Sequence, residues 1–290
     1  MLGFQKTLKL MDNQPLPIDL IKTVERALAE DIGTGDITAK LIAPNTQAKA
    51  QVISREQAIL CGTAWFDEVF RQLDSQLEIT WLVRDSEMIR PNQVLCNMNG
   101  QARALLIGER TALNFLQLLS GTATQVQGYV NAISGTDACI LDTRKTLPCL
   151  RTAQKYAVRC GGGTNHRMGL YDAFLIKENH IAAAGSIAQA IVAARHNAAH
   201  LPVEVEVETV EQVKEALTAE ADRLLLDNFT CSQLREAVAL VQGKVKLEAS
   251  GGFTKESIRA IAETGIDFIS VGAMTKNVQA IDLSMRMQTE

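Results

Sequence analysis

The residue types best suited to chemistry recur at regular places between Asp142 and Ala273. They are Asp142-Thr143-Arg144-Lys145, Lys177-Glu178-Asn179-His180, Glu206 and Glu208, Asp227-Asn228, Ser250-Gly251-Gly252, and Gly272-Ala273. Each follows a short β-type run: ACILD, AFLIK, VEVEV, RLLLD, VKLEAS or DFISVG. All six runs thus end in charge or in backbone-exposing glycine. Arg144, Lys145, His166, Arg167 and Lys177 gather positive charge, and an arginine grips a carboxylate through two parallel hydrogen bonds. The cluster therefore fits a small planar substrate with at least two negative charges. Glu206 and Asp227 are hard oxygen donors suited to Mg2+ or to sugar hydroxyls. Ser250-Gly251-Gly252 and Gly272 resemble paired loops whose free N–H groups face a phosphate. Together they imply a phosphorylated sugar handled with magnesium.

Two stretches sharpen this reading. In PVEVEVETV, Val203, Val205 and Val207 take one face and Glu204, Glu206 and Glu208 the other. If both faces are covered, unpaired carboxylates cost several kcal/mol each. Lys246 and Glu248 repeat the alternation, so a network of opposite charges is expected inside the sheet, with Lys145 and Lys177 as available cations. The alternative is an antiparallel edge strand with its glutamates in water. In RTAQKYAVRCGGGTNHRMGL, Arg151, Lys155 and Arg159 form an i, i+4, i+8 stripe expected to be a solvated helix face. Gly161-Gly162-Gly163 then allows the tight geometry that delivers Asn165-His166-Arg167.

The elements that position these groups follow from periodicity. IDLIKTVERALAED places Leu20, Ile21, Val24, Ala27 and Leu28 on one helical stripe, and a Gly-rich turn, DIGTGDIT, follows. Residues 47–63, 77–83 and 93–105 carry β-type runs, and LIGERTALNFLQLLSGTATQVQGYVNAIS reads as two successive helices. After Gly135, β-branched strands alternate with helical spacers near 151–160, 186–196, 209–220, 230–241, 254–264 and beyond 274. That alternation argues for a parallel sheet, and no G-x-G-x-x-G follows any strand. The expected class is α/β: an incomplete TIM-like barrel of six or seven parallel strands preceded by an α+β open sandwich. The sandwich is expected over 1–116 and the barrel over 117–276, with its site at the C-terminal strand ends, where such barrels carry their chemistry. A helix over 277–290 is expected to pack back on the first domain.

Composition excludes other classes. The 290 residues are 47% hydrophobic and 21% charged, which fits neither a disordered nor a fibrous chain. The net charge of −4 gives no global attraction for nucleic acid. Apolar stretches are broken by charge before the ~20 residues a bilayer demands, so no membrane span is expected. The N-terminal segment, ended by Pro15 and Pro17, reads as a lead-in without signal-peptide grammar. The six cysteines lack C-x-x-C or zinc spacing, and reduced thiols in the cytoplasm are expected. Cys149 and Cys160 flank the basic loop and read as small hydrophobes; His180, His196 and His200 read as structural or solvated.

The motifs DTRKT, KYAVRCGGGTNHRMGLYDAFLIKENH, VEVEVET, LLLDNF, LEASGGF and VGAMTKN, preceded by EDIGTGDIT and ERTALNFLQLLSGTAT, resemble the quinolinate phosphoribosyltransferase family in order over residues 25–277. These enzymes are also called carboxylating nicotinate-nucleotide pyrophosphorylases. The resemblance implies pentosyl transfer from phosphoribosyl pyrophosphate (PRPP) to quinolinate with loss of CO2, in pyridine nucleotide synthesis. It implies Mg2+ as cofactor and a homodimer with a shared site. Arg144, His166, Arg167 and Lys177 would hold quinolinate, joined by Arg110 of the partner subunit. PRPP and Mg2+ would fall to Lys145, Glu206, Asp227, Ser250, Gly251, Gly252, Gly272 and Lys276, with Lys145, Glu206 and Asp227 catalytic. On residue type alone, Arg110 also reads as a cap or ion pair of the helix it starts.

Three other readings stay open on the sequence. One is a related barrel protein associated with molybdate uptake. Another is a Schiff-base aldolase with Lys177 as the amine. The third is a carboxylate-binding module without catalysis.

Overall fold

The computed structural model describes residues 16–289; the lead-in before Pro15 lies outside the described residues. The chain forms helix α1 (Leu20–Ile32), strands β1 (Gln47–Ser54) and β2 (Ala58–Ile59), and helix α2 (Thr63–Leu73). Strands β3 (Glu78–Trp81), β4 (Met88–Ile89) and β5 (Val94–Gln101) lead into the long helix α3 (Ala102–Ala132). Then come β6 (Cys139–Leu141), α4 (Arg151–Cys160), β7 (Phe174–Ile176), α5 (Glu178–Ala184), α6 (Ile187–Asn197), β8 (Val203–Val207) and α7 (Val210–Thr218). The remainder is β9 (Arg223–Asp227), α8 (Cys231–Val241), β10 (Lys246–Ser250), α9 (Ile258–Ala262), β11 (Phe268–Ser270), α10 (Ala273–Lys276) and β12 (Leu283–Thr289). Two compact units result: residues up to 127 with 147–162 and from 275 on, and residues 128–146 with 163–274.

The first unit holds an antiparallel sheet in the order β12-β1-β5-β3. Alternation explains it: Ala48, Ala50 and Val52 of β1 are buried while Gln47, Lys49 and Gln51 are exposed. Leu20, Val24 and Leu28 of α1 join Trp65, Phe66 and Phe70 of α2 in one apolar core, whereas Ile21 stays half exposed. The expected helix over 277–290 is instead strand β12, antiparallel to β1. Its sequence LSMRMQT alternates apolar and polar residues, a period-two pattern that serves a strand.

The two helices expected across 106–134 are one, α3. Gly121 in SGTAT is not a break. An added Cβ there would lie 2.1 Å from Gln279 O, so the glycine lets another backbone cross the helix. The stripe expected to be solvated on α4 is not, for Lys155 is fully buried. Both flanks of this helix are covered: Ala153, Ala157 and Cys160 join the apolar core, and Gln154 accepts from Leu147 N and donates to Thr275 O, both at 2.8 Å.

The second unit is a parallel six-stranded sheet in the order β6-β11-β10-β9-β8-β7. Thr164 adds a parallel bridge to Leu141 beyond β6, a rudimentary seventh strand. Val203, Val205 and Val207 of β8 are all buried on the outward face, and the alternate residues face inward. Thr209 and Thr230 cap α7 and α8 by accepting from Gln212 N and Gln233 N, so each helix begins immediately past a strand end. Among the described residues, no helix is long and apolar enough to cross a membrane.

Candidate active site

Parallel strands place the ends of β6 to β11 on one side of the barrel unit, and the charged residues read from the sequence stand there. Asp142, fully buried behind β6, organises the first loop. Its Oδ1 accepts His166 N–H at 2.9 Å and its Oδ2 accepts from Asn165 Nδ2 at 2.6 Å. The glycine-rich turn is thereby tied to the strand that carries Arg144. Arg167 donates from Nη1 to Ala173 O at 3.1 Å, and burial together with the nearby charge of Arg144 lowers its pKa. Two guanidinium groups are held within electrostatic reach of each other. The nearby charges of Glu204 and Asp172 offset part of that repulsion.

Lys177, at the end of β7, forms an ion pair with Glu206 of β8. Its own N–H donates to His180 Nδ1 at 3.0 Å, giving His180 a structural role at the start of α5. Asp227 ends β9, and Asn228 Nδ2 donates to its Oδ2 at 2.8 Å. Asn228 adopts φ +57°, a left-handed conformation for which asparagine is favoured among side-chain-bearing residues. Ser250 of β10 registers beside Asp227. Gly272 packs on Lys145, since a Cβ there would lie 2.9 Å from Lys145 Cδ and 3.4 Å from Thr143 Oγ1. Gly272→Ala should push Lys145 off its rotamer, a cost of about 0.5–1.5 kcal/mol. Steady-state kinetics should show the KM for a phosphate-bearing substrate rising roughly twofold to tenfold. An unchanged KM would mean that Lys145 does not set it.

His166, expected to hold the substrate, has its ring inside the barrel. Its Nε2 lies 3.0 Å from Glu204 and 3.4 Å from Glu248, and Arg223 Nη1 lies 3.3 Å from the same Glu248 oxygen. Burial opposes charge on the ring, but Glu204 and Glu248 outweigh it and push the pKa up to about 9. Arg167 N–H lies 2.7 Å from Nδ1, a contact that suits the neutral ring. A second ring proton would sit on Nδ1 and break that contact, so the carboxylates and the Arg167 N–H pull the ring in opposite directions. Burial raises Glu204, whereas His166 and Arg223 overcome burial and keep Glu248 low.

The expected internal network of charges exists: His166 and Arg223 meet Glu204 and Glu248, and Lys177 meets Glu206. Arg223 escaped the sequence reading, although its phase with Leu225 and Asp227 points it inward; its guanidinium stacks on Phe268 at 4.5 Å. Lys246 pairs with Asp267 at the exposed start of β10. A cavity of about 430 Å³ opens at the strand starts, and His166 and Arg167 line it together with Glu204, Asp222, Arg223 and Phe268.

Of the expected site residues, Arg144, Lys145, His166, Arg167, Lys177, Glu206, Asp227, Ser250, Gly251, Gly252 and Gly272 all belong to the barrel unit. Arg110 and Lys276 belong to the first unit, and both are exposed. Arg110 lies well inside α3, which begins at Ala102, so it does not cap a helix start.

A parallel barrel with a cationic and an acidic cluster at its C-terminal rim is the architecture of a barrel enzyme acting on anions. The family model of the quinolinate phosphoribosyl transferase N-terminal domain matches residues 36–120, and that of the C-terminal domain matches 122–286. A probable carboxylating nicotinate-nucleotide pyrophosphorylase of Bacillus subtilis (strain 168) is 42% identical over 269 residues, 92% of this chain and 93% of that protein. A chloroplastic one of Arabidopsis thaliana is 38% identical, across 94% of this chain and 84% of that protein. The solved structure of the nicotinate-nucleotide pyrophosphorylase from Francisella tularensis has a TM-score of 0.90 and 49% identity, covering 94% of this chain and 98% of that one. The chain belongs to the quinolinate phosphoribosyltransferase family.

Proposed function

We propose that this protein is a cytoplasmic homodimeric enzyme that transfers the phosphoribosyl group of PRPP to quinolinate, yielding nicotinate mononucleotide, pyrophosphate and CO2. The observation that carries the substrate is the loop that presents Arg167, fixed by its Nη1 bond to Ala173 O at 3.1 Å and lying within electrostatic reach of Arg144. Quinolinate has two adjacent carboxylates, and Arg144, Arg167 and Lys177 supply complementary cations, with Arg110 of the partner subunit as a fourth. His166 adds its charge from within the barrel wall and supports Arg167. Lys145, Ser250 and the glycines Gly251, Gly252 and Gly272 take the phosphates of PRPP.

The ribose C1–oxygen bond breaks, and its electron pair leaves with pyrophosphate. Positive charge develops at C1 while the pyridine nitrogen forms the new bond. Glu206 and Asp227, on neighbouring strands, stabilise that charge electrostatically. Nitrogen, now alkylated and cationic, accepts charge from C2 as the 2-carboxylate departs as CO2, and C2 takes a proton. The protein forms no covalent bond, and positioning provides much of the acceleration.

Glu206 and Asp227 suit Mg2+: both are carboxylates, and Asp227 commits one oxygen to Asn228 and keeps the other. When bound, Mg2+ neutralises charge on pyrophosphate. The aldolase reading fits less well, because a nucleophilic lysine works as a free amine in an apolar or cationic setting, and Lys177 lies against Glu206. Borohydride reduction with carbonyl compounds should leave Lys177 unmodified; a stable adduct there would favour the aldolase. The decisive assay supplies PRPP and Mg2+ with quinolinate or with nicotinate. Nicotinate mononucleotide should form from quinolinate alone, and turnover of nicotinate only would overturn the substrate.

A further inference from the structure

We propose that Glu248, assisted by Glu204, is a positioning residue for quinolinate: it holds the His166 ring inside the barrel and so fixes the adjacent Arg167. This rests on the function proposed above and assigns it residues that touch no substrate. Glu248 is fully buried, and Glu204 is 5% exposed. An interior carboxylate is costly unless its partners are fixed, and the partners of Glu248 include His166 at 3.4 Å and Arg223 at 3.3 Å. Arg223 is itself clamped on the Phe268 ring. From the other side, Asp142 accepts the His166 N–H. His166 is thus gripped by backbone and by ring, and Arg167 is the next residue in the chain.

The ring meets Glu204 on β8 and Glu248 on β10, Arg223 on β9 lies behind Glu248, and Asp142 and Arg167 meet the backbone N–H and Nδ1 of His166. Glu204, Arg223, His166 and Arg167 all line the 430 Å³ cavity at the strand starts. A substitution at Glu248 therefore leaves the PRPP-facing residues Lys145, Asp227 and Ser250 in place. Removing the charge alone, by Glu248→Gln, keeps the volume and lets the ring and Arg167 drift.

The test compares wild type with Glu248→Gln in steady-state kinetics with both substrates. Quinolinate KM should rise about tenfold or more while PRPP KM stays within twofold, and Glu204→Gln should shift quinolinate KM the same way by less. Equal shifts in both KM values, or none, would overturn the proposal, because a general loosening does not single out one substrate. Should Glu248→Gln not fold, Glu204→Gln and Arg223→Gln carry the same comparison. NMR titration of the His166 ring is independent of turnover. Its pKa should fall toward the ordinary histidine value in Glu248→Gln, and an unchanged titration refutes the grip. If wild type forms no nucleotide from quinolinate, the functional reading falls, while the titration still decides whether Glu248 holds the ring.

Discussion

Arg167→Ala should lower kcat/KM for quinolinate by roughly 30- to 5,000-fold, the equivalent of losing about 2–5 kcal/mol from a hydrogen-bonded charge pair. The range is large because the remaining partner, a carboxylate in a water-poor site, is left without its donor. Arg167 is suited to this. One guanidinium nitrogen is spent on Ala173 O, which fixes the plane of the group and leaves its other donors in a set direction. Arg144→Ala should act similarly, and the double variant should lose less than the sum of the two, since each arginine relieves the other's electrostatic cost when removed. Arg167→Lys should recover little, because a point charge cannot reproduce the two-pronged contact. Steady-state kinetics with quinolinate varied at saturating PRPP checks all four variants. A loss confined to PRPP would contradict the assignment.

Gly121→Ala should destabilise the first unit, although alanine is the better helix former by about 1 kcal/mol. The added Cβ would stand 2.1 Å from Gln279 O and 3.2 Å from Ala280 Cα, both backbone atoms that cannot swing aside. Relief requires the chain to move by about an ångström, and overpacking of this kind costs about 1–3 kcal/mol or more. The crossing is anchored, since Ile281 N donates to Gln117 O at 3.2 Å and the segment runs directly into β12. Because backbone and not side chain is displaced, the upper end of the cost is expected, and the net sign is destabilising. A thermal midpoint lowered by several degrees is the expected result. Gly161→Ala should behave alike, with Ala123 O 2.3 Å from the added atom. A raised midpoint in either variant would show that helix propensity outweighs the crossing.

What the sequence made legible tracks how local each signal is. The six parallel strands were readable because each is a compact β-branched run followed by charge or glycine, and β8 displays its two faces in VEVEV. The rim residues were readable for the same reason: a strand end is a position in sequence as much as in space. The partners of Glu204 and Glu248 were not, because His166 reaches them from a loop far along the chain and Arg223 opens a strand whose apolar run masks its inward phase. The burial of Lys155 was hidden as well, since an i, i+4, i+8 stripe of cations looks the same whether water or protein lies beyond it. β12 was misread as a helix because the residues just before it, Ala273–Lys276, do form one, and the strand's alternation begins only at Leu283.

Electrostatics also gives a pH dependence. The folded pKa of His166, about 9, lies above its unfolded value of about 6.5. Its contribution to stability is therefore complete below about pH 6.5 and is lost as pH rises through about 9. Denaturation midpoints should fall more steeply between pH 7 and 10 in wild type than in His166→Gln; parallel curves would remove the imidazolium from the account.

The fate of one carbon tests the reaction most directly. With quinolinate labelled at its 2-carboxylate, PRPP and Mg2+, labelled CO2 and pyrophosphate should appear in equal amounts, one each per nucleotide, and no CO2 should appear without PRPP. Pyrophosphate released with the label retained in the product, or CO2 released without PRPP, would contradict it.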